Sequence, residues 1–470
     1  MKTRARSLSG LAAGLLAPLL AFLWTLALPV HSLAQDSFQE SRAQESRAQE
    51  SKAPDSKADA QFFPHLVYRT GPYAPYGIPL ADGAADYITL INQRDGGING
   101  VPLVYEECDT GYNTDRGVDC YDRLKGKGPT GAAAVLPLST GIAYALIERS
   151  AADRIPVFSS GYGRADASDG RVFPYAINAP ASYWTGIDAA VSYIGQQFGG
   201  PDRLRGRKIA YVYHDSAFGK EPLPMLEALR GLLGFEMRTY PVAPPGLDQK
   251  GIWMQIGRQY RPDYTILWGW GAQNSTAIRE ALAAGYPVDR MIGVWWAGAE
   301  QDVLPAGAGS RGYKAIAFHG AGAEYAVIRA IRAHVHARGQ GAGDPSQIGT
   351  VLYNRGVFNA AVLVEAIRTA QEKHGRKPLT GEQVAWGFDH LNLTADRLAA
   401  LGLEGFMQPF RTTCADHEGM TPIRVQQWDG RRWLVASDWI EPRRAMIRSM
   451  VESSARKFAE DRKIKPRSCL

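Results

Sequence analysis

Cys414-Ala415-Asp416-His417-Glu418 is the densest run of metal-ligating residue types in the chain. Adjacent side chains leave a backbone in different directions, so one pentapeptide is a poor source of four contacts to a single ion, and no metal is expected there. Asp109, Asn113 and Asp115 have the spacing of a calcium loop, but Thr114 stands where such a loop needs glycine for its sharp turn. His334 and His336 lie two apart, hence on different faces of a helix. No G-x-x-x-x-G-K-[ST] loop, G-x-S-x-G elbow or H-E-x-x-H helix occurs, and no nucleophile, base and orienting group fall together. No catalytic residue, metal or cofactor is therefore expected.

Binding chemistry is better supplied. Just after apolar, strand-like runs come Arg69-Thr70-Gly71-Pro72-Tyr73, Leu138-Ser139-Thr140-Gly141 and Ser159-Ser160-Gly161-Tyr162-Gly163. Further along, the same positions hold His214-Asp215-Ser216-Ala217-Phe218-Gly219, Gly269-Trp270-Gly271 and Trp295-Trp296-Ala297-Gly298. The first group offers small hydroxyls and glycines and the second offers bulky aromatics, which together describe the two walls of a small-molecule cleft. Taken singly, Trp268, Trp270, Trp295 and Trp296 also suit core packing, and Ser139 and Ser159 suit helix N-caps. An N-cap at a strand's carboxyl end can itself hold an anion.

The elements that must position these residues follow from the apolar pattern. Strands are expected at Leu66–Tyr68, Pro102–Glu106, Ala133–Pro137, Pro156–Ser159, Lys208–Tyr213, Phe235–Tyr240, Tyr264–Trp268, Met291–Trp295 and Ala315–His319. Amphipathic helices fall between them at Ala81–Gln93, Tyr144–Ser150, Tyr183–Phe198, Leu223–Leu233 and Asn274–Ala284, then at Ala323–Arg338, Asn354–Lys373 and Gly381–Leu391. Continuous apolar strands alternating with helices indicate doubly wound parallel α/β sheets. Asp429-Gly430 between Trp428 and Trp433 marks a hairpin.

Lys2, Arg4 and Arg6 precede an uncharged run over 11–30, and Ser32-Leu33-Ala34 then offers a cleavage site: the pattern of a secretory leader, favoured here over a retained anchor. Residues 35–61 carry a five-residue Ser/Ala/Gln/charge repeat that matches no buried face and reads as a solvated spacer. Without its leader the chain drops from a net charge of +6 to about +3, which implies no nucleic-acid partner. Export makes disulfides the expected state of the four cysteines, with Cys108 and Cys120 the favoured pair and Cys414 and Cys469 then pairing or remaining free.

Taken in order, Thr70-Gly71-Pro72-Tyr73, Ile98-Asn99-Gly100, Pro137-Leu138-Ser139-Thr140-Gly141, Tyr213-His214-Asp215-Ser216-Ala217-Phe218-Gly219 and the stretch 423–428 make the chain resemble the type I periplasmic solute-binding proteins of ABC transporters, branched-chain (hydrophobic) amino acid group. The resemblance spans about residues 62–440. It implies two doubly wound lobes joined by a three-crossing hinge: lobe 1 from 62–182 and 314–405, lobe 2 from 183–313 and 406–445, then a basic tail over 446–470. It also implies periplasmic location, a monomer, and delivery of ligand to membrane permease subunits by hinge closure. The ligand's carboxylate would meet Tyr73 and Tyr76, then Ser139, Thr140 and Gly141, then Ser159, Ser160, Gly161 and Tyr162. Phe218 and an aromatic at Trp268 or Trp270 would cover its body.

One departure bears on the ligand. Amino-acid binders of this family place a carboxylate after the strand corresponding to Met291–Val294, where it meets the ligand's ammonium, and here Trp295 and Trp296 stand instead. Burying an ammonium without a counter-charge costs several kcal/mol, so a free amino acid is disfavoured unless Glu300 reaches back, and a hydrophobic or aromatic carboxylate is expected. A periplasmic sensor reporting the same ligand to a receptor is the rival reading, and an exported α/β hydrolase a more distant one.

Overall fold

The chain is described from a computed structural model that covers residues 59–469. The expected leader and residues 35–58 of the spacer lie outside the described residues. The spacer ends sooner than expected, because Gln61 opens the first strand. Its side-chain amide donates to Leu379 O at 3.1 Å and its carbonyl accepts Leu379 N–H at 2.7 Å, so a residue type typical of linkers is here fully buried and satisfied.

The first sheet is parallel. It contains β1 (Gln61–Val67), β2 (Leu103–Asp109), β3 (Val157–Phe158) and β4 (Ala176–Ile177). β1 pairs with β2 and β3 with β4; the expected strand Ala133–Pro137 is reduced to two bridges, Leu136 to His65 and Val135 to Val157, that join the halves. β1 begins five residues before the expected Leu66, because Pro64, which cannot donate to a ladder, disguised its first half.

The second sheet takes in β5 (Lys208–His214), β6 (Glu236–Val242), β7 (Tyr264–Trp268), β8 (Met291–Gly293) and β9 (Lys314–Ala317). A small antiparallel ribbon, β10 (Asn392–Leu393) with β11 (Phe410–Arg411), precedes the hairpin β12 (Arg424–Trp428) and β13 (Trp433–Val435). Strand order is β13-β12-β9-β8-β7-β5-β6, parallel from β6 to β9, with β12 antiparallel to β9. Lys314–Ala317, grouped with the first lobe on sequence grounds, is thus a strand of the second sheet: all four residues pair with β12, and Lys314 and Ala315 also pair with β8.

Helices of at least twelve residues are α1 (Ala74–Asp95), α2 (Thr140–Asp153), α3 (Tyr183–Gln197), α4 (Ala272–Ala283), α5 (Val351–His374) and α6 (Arg444–Arg462). α1 starts seven residues before its expected Ala81, since Pro75 in its first turn removes an N–H that has no helical partner anyway. α5 returns from the second sheet to pack along α1. Two disulfides are present, Cys108–Cys120 across β2 and the following helix and Cys414–Cys469, which ties the tail after α6 to the body. Among the described residues no helix is long and apolar enough to cross a membrane.

Candidate functional site

Each sheet has a point at which strand order reverses, and there the loops at the carboxyl ends part to leave a crevice. In the first sheet this lies between β1 and the 135–136 segment, whose chain ends lead to Tyr68 and Leu138. In the second it lies between β5 and β7, which lead to Phe218 and Trp270. The two crevices face each other across one small cavity of about 20 Å³, lined by Tyr68, Tyr112, Leu138, Thr140, Tyr162, Tyr183, Phe218, Trp270 and Trp296. Its walls are drawn in until the clear centre holds about one water.

The wall is aromatic and its polar atoms are uncharged. Burial raises the Tyr68, Tyr112, Tyr162 and Tyr183 hydroxyls above the usual phenol range, so all four stay protonated. Tyr183 Oη lies 3.2 Å from Thr140 Oγ1, and Tyr162 Oη accepts Leu138 N–H at 2.9 Å. That bond holds Leu138 at φ +46°, a left-handed conformation that costs a leucine about 1 kcal/mol, and sets the turn into α2. Ser139 caps α2, its Oγ 3.5 Å from Ile142 N, and Thr140, which is buried, and Gly141 occupy the positive start of the helix dipole.

Bonds between the two sheets' loops hold the cavity shut. Trp295 and Trp296 both donate their indole N–H to Gly161 O, at 2.8 and 3.1 Å. Tyr73 Oη lies 3.0 Å from His214 Nε2, and Tyr76 Oη donates to Gly271 O at 2.9 Å. Burial lowers His214 to about 4, so its ring is neutral. Glu221 accepts Ala165 N–H at 2.8 Å and also pairs with Tyr144 Oη; burial pushes its carboxyl up to about 8.

The expected site residues therefore sort into three positions. Thr140, Tyr162, Phe218, Trp270 and Trp296 line the cavity. Ser139, Gly141, Ser159, Ser160 and Gly161 form the loops behind its first wall, with Ser160 Oγ buried and unpartnered, while Trp268 and Trp295 pack behind the second, Tyr183 lying 5.5 and 6.1 Å from them between ring centroids. Tyr73 and Tyr76 stand outside the wall and bridge the two sides. Glu300 does not line the cavity: its Oε2 accepts Val351 N–H at 3.0 Å, at the start of α5.

Tyr68, Tyr112, Leu138 and Tyr183 also line the cavity. Tyr112 follows β2 as Tyr162 follows β3, so the strand-end rule would have found it had the second strand's loop been read like the others. Arg355, in the first turns of α5, lies behind the cavity wall and is also outside the expected set. It is fully buried, its guanidinium carbon 4.7 Å from the Trp296 ring centroid and 4.1 Å from that of Phe318. One charged residue within Val351-Leu352-Tyr353-Asn354-Arg355-Gly356-Val357-Phe358 was the available signal.

The pentapeptide at 414–418 scatters as its spacing implied. Cys414 is in a disulfide, His417 Nε2 meets Asp389 Oδ1 at 2.8 Å, and Glu418 accepts Ser182 N–H at 2.7 Å. Asp109 and Asn113 accept N–H groups of Gly111 and Arg116 at 2.9 and 3.0 Å and shape their turn.

The family model for periplasmic binding proteins matches residues 61–432. A solved structure named as an ABC transporter permease from the Pseudomonas fluorescens group is 43% identical, covers 88% of this chain and 100% of its own, and superposes with a TM-score of 0.83. A branched-chain amino acid ABC transporter protein from Thermus thermophilus with bound valine is 21% identical over 83% of this chain and 99% of its own, TM-score 0.69. A solute-binding protein from R. palustris in complex with benzoate is 15% identical over 82% and 98%, TM-score 0.63. No curated protein sequence matches the chain.

Proposed function

The chain belongs to the periplasmic binding protein family, and from that premise we propose that it captures a small hydrophobic or aromatic carboxylate for an ABC importer. The observation that carries this reading is the cavity wall: aromatic rings from both sides, protonated phenols, and no carboxylate among its lining residues. An α-amino acid would bring in an ammonium with no counter-charge, at a cost of several kcal/mol. A ligand with one anionic end and an apolar body leaves nothing unmatched, because the start of α2 and the buried hydroxyls of Thr140 and Ser160 serve the anion while Trp270, Trp296 and Phe218 cover the body.

Binding proceeds by closure. The ligand docks on the first side, and the indole bonds to Gly161 and the Tyr73–His214 contact then form over it, so affinity for the closed state drives the motion. The chain performs no reaction in this account; it acts as an exported monomer that presents its closed form to permease subunits. A thermal-shift screen of residues 35–470 against aliphatic amino acids, aromatic carboxylates, dicarboxylates and amides tests the reading. Ligands that bind only the folded chain raise its melting temperature. Benzoate-like acids are expected to do so and leucine is not; a leucine shift without a benzoate shift overturns the ligand assignment.

A further inference from the structure

Several half-buried arginines of this chain are paired with carboxylates. Arg443 meets the buried carboxylate of Asp188, Arg368 and Arg397 share Glu365 at 3.0 and 2.7 Å, and Arg467 holds Asp389 with two bonds of 2.8 Å. Arg355 is different. All three of its guanidinium nitrogens are buried without a hydrogen-bond partner, which holds for no other arginine among the described residues. No carboxylate forms a salt bridge with it, and two aromatic rings, Trp296 and Phe318, are its neighbours instead. Stacking on two rings offsets part of the cost of a desolvated cation but provides no acceptor for five N–H donors.

Its position gives that vacancy of acceptors a meaning. Trp296 is a wall of the ligand cavity, so the guanidinium lies directly behind that wall. Phe318, the second ring beside the guanidinium, abuts Gly161, whose neighbour Ser160 carries an unpartnered buried hydroxyl. The side chain thus reaches the corner where the first-side loop, the indole pair and α5 meet. Arg355 is not itself a lining residue: its guanidinium sits one layer behind Trp296, so an anion that reaches it by displacing that ring meets a planar fork of donors screened from water.

We propose that Arg355 is the specificity-determining residue of the cavity: its guanidinium receives the anionic group of the ligand, so that the site selects monoanionic carboxylates over neutral amides and zwitterions of the same shape. This deepens the carboxylate-capture reading and rests on it. It also makes closure charge-dependent, since closing over a neutral ligand leaves the guanidinium stranded while closing over a carboxylate pairs it.

The test is calorimetric titration of wild type and Arg355→Gln with benzoate and with benzamide, which share a ring and differ in charge. Wild type should prefer benzoate by at least 100-fold, and Arg355→Gln should lose at least 100-fold of benzoate affinity while changing benzamide affinity less than about threefold, its melting temperature holding near wild type. Arg355→Gln binding benzoate within threefold of wild type overturns the role of Arg355 and leaves carboxylate capture standing. Wild type that binds leucine or benzamide but no carboxylate overturns the carboxylate reading itself. Should Arg355→Gln fail to fold, the wild-type ratio decides: equal affinity for benzoate and benzamide refutes the proposal, and the 100-fold preference supports it.

Discussion

Replacing Gly161 with alanine separates the cost of closing the cavity from the cost of folding. Gly161 has φ +72°, a conformation that costs alanine about 1–2 kcal/mol whether the cavity is open or shut. A Cβ there lies 2.8 Å from Phe318 Cε1, 3.0 Å from its Cζ and 3.1 Å from Trp295 Nε1, all closer than ordinary contact. Relieving such overpacking costs roughly 1–3 kcal/mol, and only in the closed arrangement, where Trp295 and Trp296 bond to the Gly161 carbonyl. The first cost lowers the melting temperature by a few degrees; the second weakens ligand affinity by about 5- to 150-fold. Gly163→Ala is the control. Its φ of +92° carries similar backbone strain, but a Cβ there meets only Ser159 and Asn178 of its own side, at 3.3 Å and beyond. Titration calorimetry and melting curves of both variants, with the tightest acid from the screen, decide the matter. Equal affinity losses in the two variants, or an unchanged Kd in Gly161→Ala, would refute the view that the Gly161 carbonyl is the seat on which the cavity closes.

Trp296→Ala should weaken binding by about 2 kcal/mol, roughly 30-fold, with the far-ultraviolet circular dichroism unchanged, because its ring is cavity wall. Trp268→Ala removes a ring from the layer behind and should instead lower the melting temperature, by an amount set by about 3–5 kcal/mol of lost packing. Glu221, Glu300, Asp302 and Glu418 have carboxyls raised by burial, to about 8 for the first and about 7 for the others. Their contribution to stability is full below the unfolded carboxyl pKa and is lost as pH rises through 7–8, so melting temperature should fall from pH 6 to pH 9, less steeply in Glu221→Gln. His65 and His214, lowered by burial to about 4, act oppositely: their contribution is present above about 6.5 and lost as pH falls towards 4, which a melting series over pH 4–6.5 would read. Reducing both disulfides, which close loops of 12 and 55 residues, should remove roughly 3 and 4 kcal/mol of stability while leaving ligand affinity unchanged, since neither bridge lines the cavity.

Much of this arrangement was legible before the fold was seen, because strand ends in a doubly wound sheet are ligand positions wherever the chain supplies them. Tyr264–Trp268 and Leu223–Leu233 occupy the expected spans, and Thr140, Tyr162, Phe218, Trp270 and Trp296 stand in the cavity wall. What escaped depends on direction in space. Pattern and spacing do not tell whether Trp268 or Trp270 faces the ligand; in a continued strand the two would share a face, but β7 ends at Trp268, which stays in the layer behind, and the chain leaves the strand through Gly269 to bring Trp270 into the cavity wall. Tyr73 and Tyr76 match the expected loop, yet the turn into α1 aims their hydroxyls at His214 and Gly271 across the cleft. Arg355 lies 59 and 37 residues along the chain from Trp296 and Phe318, the rings it stacks on, a contact that only the return of α5 across the fold creates.

The central claim is that this cavity holds a hydrophobic carboxylate and rejects a zwitterion, and titration of residues 35–470 with benzoate and with leucine, side by side at pH 7, tests it most directly. A saturable one-to-one heat with benzoate and none with leucine is the predicted result. Saturable binding of leucine, with benzoate inert, would contradict it and require a counter-charge for the ammonium where the cavity wall has no carboxylate.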